Sequence, residues 1–184
     1  LGQMPTSPIS AVHLWFDRPI TPLDHAVLVG RMSQWVFNRG VDTSDDPERG
    51  GTHYYQVVIS ASRDIAGRSH RVVIDRACED LVATLPAAAA ATLVHGRVVT
   101  DRDAVFTPTA EWEALRPRQT TPVRNLFLCG DWTATGWPAT MESAVRSGRL
   151  AAEGVLSAVQ GGVVAESLVT ADLRRGWLAR RLLS

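Results

Sequence analysis

Residues 125–156 read NLFLCGDWTATGWPATMESAVRSGRLAAEGVL, and this stretch departs from the Ala-, Val- and Arg-rich text around it. It opens with NLFLC (125–129), a continuous apolar run bounded by Asn125 and Gly130, which predicts a strand of a parallel sheet buried on both faces. The chain then crowds Gly130, Asp131, Trp132, Gly136, Trp137 and Pro138 into one short loop. From about Ala139 the period changes. Met141, Ala144, Val145, Gly148, Ala151, Ala152, Val155, Leu156 and Val159 fall on one helical face, predicting a helix to Gln160 that Gly161 and Gly162 end. Its first half carries small residues, so that Ala144, Gly148 and Ala151 admit the close approach of another backbone.

A strand ending in Gly-Asp, a tight loop and a helix start bring one carboxylate and several unpaired backbone N–H groups around a single pocket. First-turn donors and the helix dipole favour an electron-rich oxygen there. Asp131 accepts hydrogen bonds from hydroxyls, Gly136 permits a backbone geometry that other residues resist, and Pro138 suits a first helical position. Together these features fit a ligand with a hydroxylated chain and a planar, electron-accepting ring.

Upstream, ISAVHLWF (9–16) alternates as a strand that DRP (17–19) breaks. Residues 26–38 predict two short strands interrupted near Gly30, followed by RGVDTSDDPERGG (39–51), a polar, flexible loop. HYYQVVISAS (53–62) alternates as a strand with both faces partly covered. Residues 70–85 predict a helix, with Ile74, Ala77, Cys78, Leu81, Val82 and Leu85 on one face, Ser69 as N-cap and Pro86 as stop. The alanine run 87–91 adds a helical turn, 93–99 is a strand, and a polar connection carrying Arg102, Phe106 and ALRPRQTTP (114–122) follows. No internal repeat is present.

The segment 125–156 resembles the C-terminal flavin-binding motif of the amine oxidase and phytoene desaturase superfamily. Together with SPISAVHLWFDRP, SQWVFNRG and HYYQVVISAS it is similar, over about residues 6–159, to the squalene-associated FAD-dependent desaturases, the hydroxysqualene dehydroxylases of bacterial hopanoid biosynthesis. The resemblance implies FAD as cofactor. It places Asp131 on the ribityl and pyrophosphate portion, Gly136, Trp137, Pro138 and Ala139 along the flavin, and the backbone of Thr140 and Met141 at the ring's carbonyl edge, where a donor stabilises the charge of the reduced flavin. Gly130 and Trp132 flank the acidic residue and belong to the same set. In amine oxidases an aromatic residue directly before Met-Glu helps cage the amine; here Thr140 stands there, which counts against an amine. The implied substrate is a long, lipophilic isoprenoid, and the implied reaction is hydride delivery to the allylic cation left when hydroxysqualene loses its hydroxyl. Carotenoid desaturation is the nearest alternative. An inactive remnant, or a non-catalytic subunit of a separate N-terminal half, is the alternative of another class.

The family also has an N-terminal half with a G-x-G-x-x-G fingerprint, and this sequence contains no match to it. The implied fold is therefore α+β: the C-terminal part of a two-domain fold, with substrate-domain sheet over 1–110, the last strand and helix of the FAD domain over 111–162, and a basic amphipathic tail over 163–184. The N-terminal half of the same enzyme is the expected partner. The start LGQMPTSPIS has neither an initiator Met nor a signal peptide's regions, so we expect the natural N-terminus upstream.

The 184 residues carry 19 Arg, no Lys and 19 Asp plus Glu, a balance that gives no global field for nucleic acid. No apolar run reaches the ~20 residues of a transmembrane helix. Cys78 and Cys129 lie in apolar runs, as reduced and buried thiols of a cytoplasmic protein do. No metal site is expected, because HYY (53–55) has no second His or Cys at ligand spacing. No residue is assigned as catalytic proton donor: His13 and Tyr54 are polar groups on apolar strands, as core or surface residues commonly are. Trp132 reads equally as packing, Glu142 as a first-turn carboxylate, and Arg146 and Arg149 as a solvated helix face. In the tail, Leu173, Trp177, Leu178, Leu182 and Leu183 among four arginines predict either an interfacial helix touching the inner membrane face or docking on the N-terminal half.

Overall fold

The computed structural model describes residues 5–162, 167–172 and 176. Contacts divide the chain into two compact units, residues 1–107 and 108–184. The antiparallel sheet with its flanking helix makes the fold α+β.

In the first unit, β1 (Thr6–Phe16), β2 (His25–Val27), β3 (Trp35–Val41), β4 (His53–Ser60) and β5 (Leu93–Phe106) form one sheet in the order β2-β3-β4-β1-β5, with every pairing antiparallel. Strand alternation decides the two faces. Val12, Leu14, Phe16, Tyr55, Val57, Ile59, Val36 and Val98 are buried in one cluster with Val73, Ile74, Ala77 and Leu81 of α1 (His70–Thr84). The Ser69 hydroxyl caps α1 by accepting from Val72 N, and the helix gives way at Pro86 to a 3-10 turn, Pro86–Ala90. Gly96 on β5 lets Ile74 sit against the strand, where any Cβ would crowd the isoleucine side chain at 3.1 Å. Two buried polar groups lock the periphery: Tyr55 Oη accepts from Ile20 N at 3.1 Å, and the Asp80 carboxylate, 1% exposed, accepts from Ser33 N at 2.9 Å.

Two expectations for this unit are corrected. Arg102 and Phe106 do not lie in a connection, because β5 continues past 99 to Phe106 by pairing with the N-terminal half of β1, where Thr6 opposes Phe106. Residues 39–41 are the end of β3 rather than loop, and 42–51 form the predicted polar loop as a series of hydrogen-bonded turns. Asp42 N donates to Thr52 O and Gly51 N to Asp42 O, each at 2.8 Å, while the Asp42 and Asp46 carboxylates accept from Ser44 N and Glu48 N. Asp side chains that bond the backbone two residues on build turns of this kind.

The second unit contains α2 (Ala110–Leu115) and α3 (Met141–Gln160). Thr109 caps α2 by accepting from Trp112 N, a short helix whose six residues carry too little periodicity to read from sequence. The predicted buried strand at 125–129 does not form. Asn125 has a left-handed φ of 62°, Leu126 and Cys129 are exposed, and the segment makes a single bridge, Thr120 with Phe127. A parallel strand needs a neighbouring ladder for its N–H and C=O groups, and none of the described residues supplies one. Cys129 is consequently no buried thiol. Cys78 on α1 is half-buried, with burial raising its pKa to about 11.

Candidate functional site

The loop 130–140 is built from its backbone outward. Gly130 has φ 142° and Gly136 φ 76°, the region L-residues avoid. A Cβ on Gly130 would collide with the indole of Trp132, so that ring folds back over the glycine. Thr133 is fully buried; its N–H and hydroxyl both return to Gly130 O, at 3.1 and 2.8 Å, closing the turn. The helix begins two residues later than its sequence pattern predicts. Thr140 is the N-cap and accepts from Ser143 N at 3.3 Å, so Pro138 lies outside the helix and not at its first position.

The face of α3 that the loop uses is polar. Ser143 and Ser147 are fully buried, whereas Met141, Val145 and Val159 of the predicted stripe are 89%, 55% and 79% exposed. Ser147 Oγ accepts from Gly130 N at 2.8 Å; Ser143 Oγ donates to Asp131 O at 3.1 Å and meets Thr135 Oγ1 at 2.7 Å. Helix periodicity identifies apolar faces, and two serines one turn apart carry no such signal.

Arg116, from the connection ALRPRQTTP, is the functional-loop residue that the sequence did not reveal. Its side chain is 3% exposed. The guanidinium donates to Trp137 O and Asp131 O at 2.8 Å each and to Thr133 O at 2.5 Å, reaches Ser143 Oγ at 3.3 Å, and pairs with both Glu113 oxygens at 3.0 Å. Gln119 adds bonds from Nε2 to Thr133 Oγ1 and Ala134 O.

The predicted cofactor residues Gly130, Asp131, Trp132, Gly136, Trp137, Pro138, Ala139 and Thr140 lie in loop 130–140 and Met141 begins α3, with Trp137 39% and Met141 89% exposed. The Asp131 carboxylate is half-buried and receives no donor among the described residues. Glu142 occupies the first turn of α3 as read. Arg146 does not belong to a solvated face: its side chain is 11% exposed, it pairs with Asp172 at 2.5 Å and with Glu142 at 3.5 Å, and it lies over the Trp137 ring at 5.5 Å. Trp137 Nε1 also donates to Asp172 at 3.2 Å. Arg149 and Glu153 hold the same segment through Thr170 and Leu168, and a cavity of about 420 Å³ lies between it and α3. The remainder of the predicted tail helix, including Leu173 and Trp177, falls outside the described residues.

The sheet of the first unit carries a separate aromatic cluster on the face away from α1. His13 Nδ1 and Tyr54 Oη are 2.6 Å apart, Trp15 stacks on Tyr54 with centroids at 4.7 Å, and Trp15 Nε1 donates to Asp42. Burial, then Arg97 and Arg39, lowers the His13 pKa; burial foremost raises that of Tyr54. Both groups are thereby held neutral near pH 7. Further along this face Trp35 and Phe37 stack at 5.7 Å beside Val27, which is 53% exposed.

The family model described as "Flavin containing amine oxidoreductase" matches residues 1–156. The chain belongs to the flavin-containing amine oxidoreductase family, whose cofactor is FAD. It is 56% identical over 61 residues to a hydroxysqualene dehydroxylase of Sinorhizobium fredii, a match covering 33% of this chain and 15% of that protein. Against the hydroxysqualene dehydroxylase of Zymomonas mobilis it is 31% identical over 141 residues, covering 76% of this chain and 31% of that protein. A 15-cis-phytoene desaturase of Synechococcus elongatus is 28% identical over 154 residues, covering 82% and 32%. The chain thus spans a third or less of these relatives. Among solved structures an oxidoreductase from Methanosarcina mazei is similar, at 18% identity and TM-score 0.46, covering 85% of this chain and 35% of that one.

The loop fits the cofactor in its donor set. A half-buried carboxylate with no donor among the described residues has the acceptor capacity that ribityl hydroxyls require, and a helix N-terminus favours electron-rich oxygens. Among the described residues no helix is long and apolar enough to cross a membrane.

Proposed function

We propose that this chain is the C-terminal portion of an FAD-dependent oxidoreductase acting on a long isoprenoid, and that its reaction is the reductive dehydroxylation of hydroxysqualene to squalene. The observation that carries the flavin reading is the Asp131 carboxylate, which receives no donor among the described residues, beside the loop that the α3 N-terminus closes. The cofactor, bound and in its reduced form, would supply the hydride, with the hydroxyl leaving as water. The chain's own residues do the rest of the work assigned here: Asp131 orients the ribityl chain, Trp137 and Pro138 line the ring, and the first turn of α3 presents donors to its carbonyl edge. The sheet face bearing Val27, Trp35, Phe37 and Val99 offers an isoprenoid chain apolar and aromatic surface, with Arg39 over the Phe37 ring and Arg97 opposite His13 on the same face. Thr140, in place of an aromatic residue, argues against an amine substrate.

The reaction is chosen over desaturation because of the 56% identity to a hydroxysqualene dehydroxylase. Phytoene desaturation remains a second reading, favoured by the longer match to a protein of that name. Incubating the complete enzyme with hydroxysqualene and with phytoene, and analysing the products by gas chromatography, separates the two. Squalene alone supports the proposal, desaturated carotenoid alone supports the second reading, and neither product makes the chain an inactive remnant or a non-catalytic subunit.

The N-terminal half, bearing the G-x-G-x-x-G fingerprint, is the proposed partner, and the exposed Met141, Val145 and Val159 of α3 supply apolar surface for it. Without that half the chain is expected to purify colourless; stoichiometric flavin absorbance on the isolated chain would contradict this. We further propose that residues 163–184 give the enzyme peripheral contact with the inner face of the cytoplasmic membrane. Equal liposome flotation with and without them would remove that proposal.

A further inference from the structure

We infer that Arg116 is a positioning residue which sets the loop 131–137 in its cofactor-receiving shape before any cofactor arrives. The inference rests on the flavin reading of that loop given above. No other described side chain touches so many parts of it: the guanidinium gathers the carbonyls of Asp131, Thr133 and Trp137 and the hydroxyl of Ser143 on the first turn of α3. These acceptors belong to both ends and the middle of the loop, so one rigid group fixes their relative positions.

The consequence concerns the opposite side of the peptides. In a trans peptide the C=O and the following N–H point in opposite directions, and the described residues contain no cis bond. Drawing Asp131 O toward Arg116 therefore turns the Trp132 N–H away from the guanidinium, the sense needed to leave a donor for an oxygen-rich ligand. Ala134 N, on the peptide whose Thr133 carbonyl is also clamped, is taken by Pro117 O at 2.8 Å, so the clamp leaves one peptide available while satisfying the next. Arg116 meets the Asp131 carbonyl and not its carboxylate, which receives no donor among the described residues.

Charge points the same way. Glu113, the carboxylate paired with Arg116 among the described residues, has a side chain 58% exposed, so water screens much of its charge while the guanidinium stays buried among dipoles. A lysine has the charge without the planar fork, so its donors radiate from one nitrogen and do not reproduce the spread over the two guanidinium amino groups that reach Trp137 O on one side and Asp131 O and Thr133 O on the other. The side chain thus acts through geometry as much as through charge.

Hydrogen–deuterium exchange on the chain without cofactor tests this, comparing wild type with Arg116→Lys and Arg116→Ala. Amides of 131–137 are expected to exchange at least about tenfold faster in both variants, with β1, β4 and α1 unchanged, and millimolar guanidinium is expected to restore protection in Arg116→Ala where sodium does not. Unchanged loop exchange, or equal loosening of the sheet, overturns the inference. In the complete enzyme, both variants are expected to weaken FAD binding at least tenfold, again with guanidinium rescue for Arg116→Ala; full FAD affinity despite a loosened loop also overturns it. Should wild type show a protected loop and no FAD binding, the flavin reading fails while the exchange result still decides the clamp.

Discussion

Gly130 N donates to Ser147 Oγ at 2.8 Å, and the same hydroxyl donates to Ala144 O, also at 2.8 Å. One serine therefore passes a hydrogen bond from the start of the loop to the backbone of α3. With Ser143 one turn earlier holding Asp131 O, the loop is fastened to the helix at two successive residues.

Ser147→Ala removes the acceptor and leaves Gly130 N–H dependent on water. Gly130 is half-exposed, so the cost falls at the low end of the range for a lost partner, about 1 kcal/mol. Urea unfolding followed through the indoles should show this loss in the second unit. Ser147→Val, which also forces branched carbon into a fully buried position, should cost more.

Gly130→Ala is expected to be the more damaging change. Its φ of 142° is strained for any L-residue, and the new Cβ collides with the Trp132 indole. Backbone strain of this type costs on the order of 1–3 kcal/mol. Adding Trp132→Ala should remove the collision and leave the strain, so the double variant regains part of the lost stability in the same unfolding assay. A double variant no better than the single one would place the whole cost in the backbone.

Which parts were legible in the sequence follows from where each segment finds its partners. β1, β4 and α1 alternate or repeat against neighbours in the same unit, so their apolar periods largely matched the observed core; on α1, Val82 of the predicted face is 47% exposed and Val73, not on it, is buried. NLFLC has the same apolar character, but no described strand lies beside it, and it remains irregular. Composition shows that a segment can be buried; it does not show whether its partner is present. Loop 130–140 was recognisable because Gly, Trp, Pro and Asp are unusual together. Arg116 was not, because a buried arginine bonded to carbonyls leaves no spacing pattern, and ALRPRQTTP reads as a polar connection. Arg146 misled for a similar reason: its position on α3 marks a polar face, while segment 167–172 folds over it.

The two cysteines should separate chemically. Cys129 is exposed, whereas Cys78 is half-buried on α1 with its pKa raised to about 11, which leaves little thiolate at pH 8. Brief maleimide treatment of the folded chain at that pH, followed by peptide mass spectrometry, should modify Cys129 and spare Cys78 until denaturant is added. Equal labelling of the native chain would show that the first unit opens locally around α1.

The His13–Tyr54 pair gives a pH dependence with a definite sign. Burial, assisted by the positive charges of Arg97 and Arg39, holds His13 below the ordinary imidazole value of 6.5. The unfolded chain therefore takes up the proton first as pH falls. Stability from the neutral imidazole is complete above about 6.5, declines as pH drops toward the folded-state value, and levels off below it. An NMR titration should find the His13 ring protons midway at a pH below 6.5. Tyr54→Phe removes the phenol at 2.6 Å and leaves the desolvation and both arginines in place, so the depression should persist while the unit is destabilised by about 1 kcal/mol. His13→Gln should flatten the acid limb of the unit's stability profile. A His13 midpoint at or above 6.5 in the wild-type chain would mean that water or Asp42, and not burial with the two arginines, governs the proton on this ring.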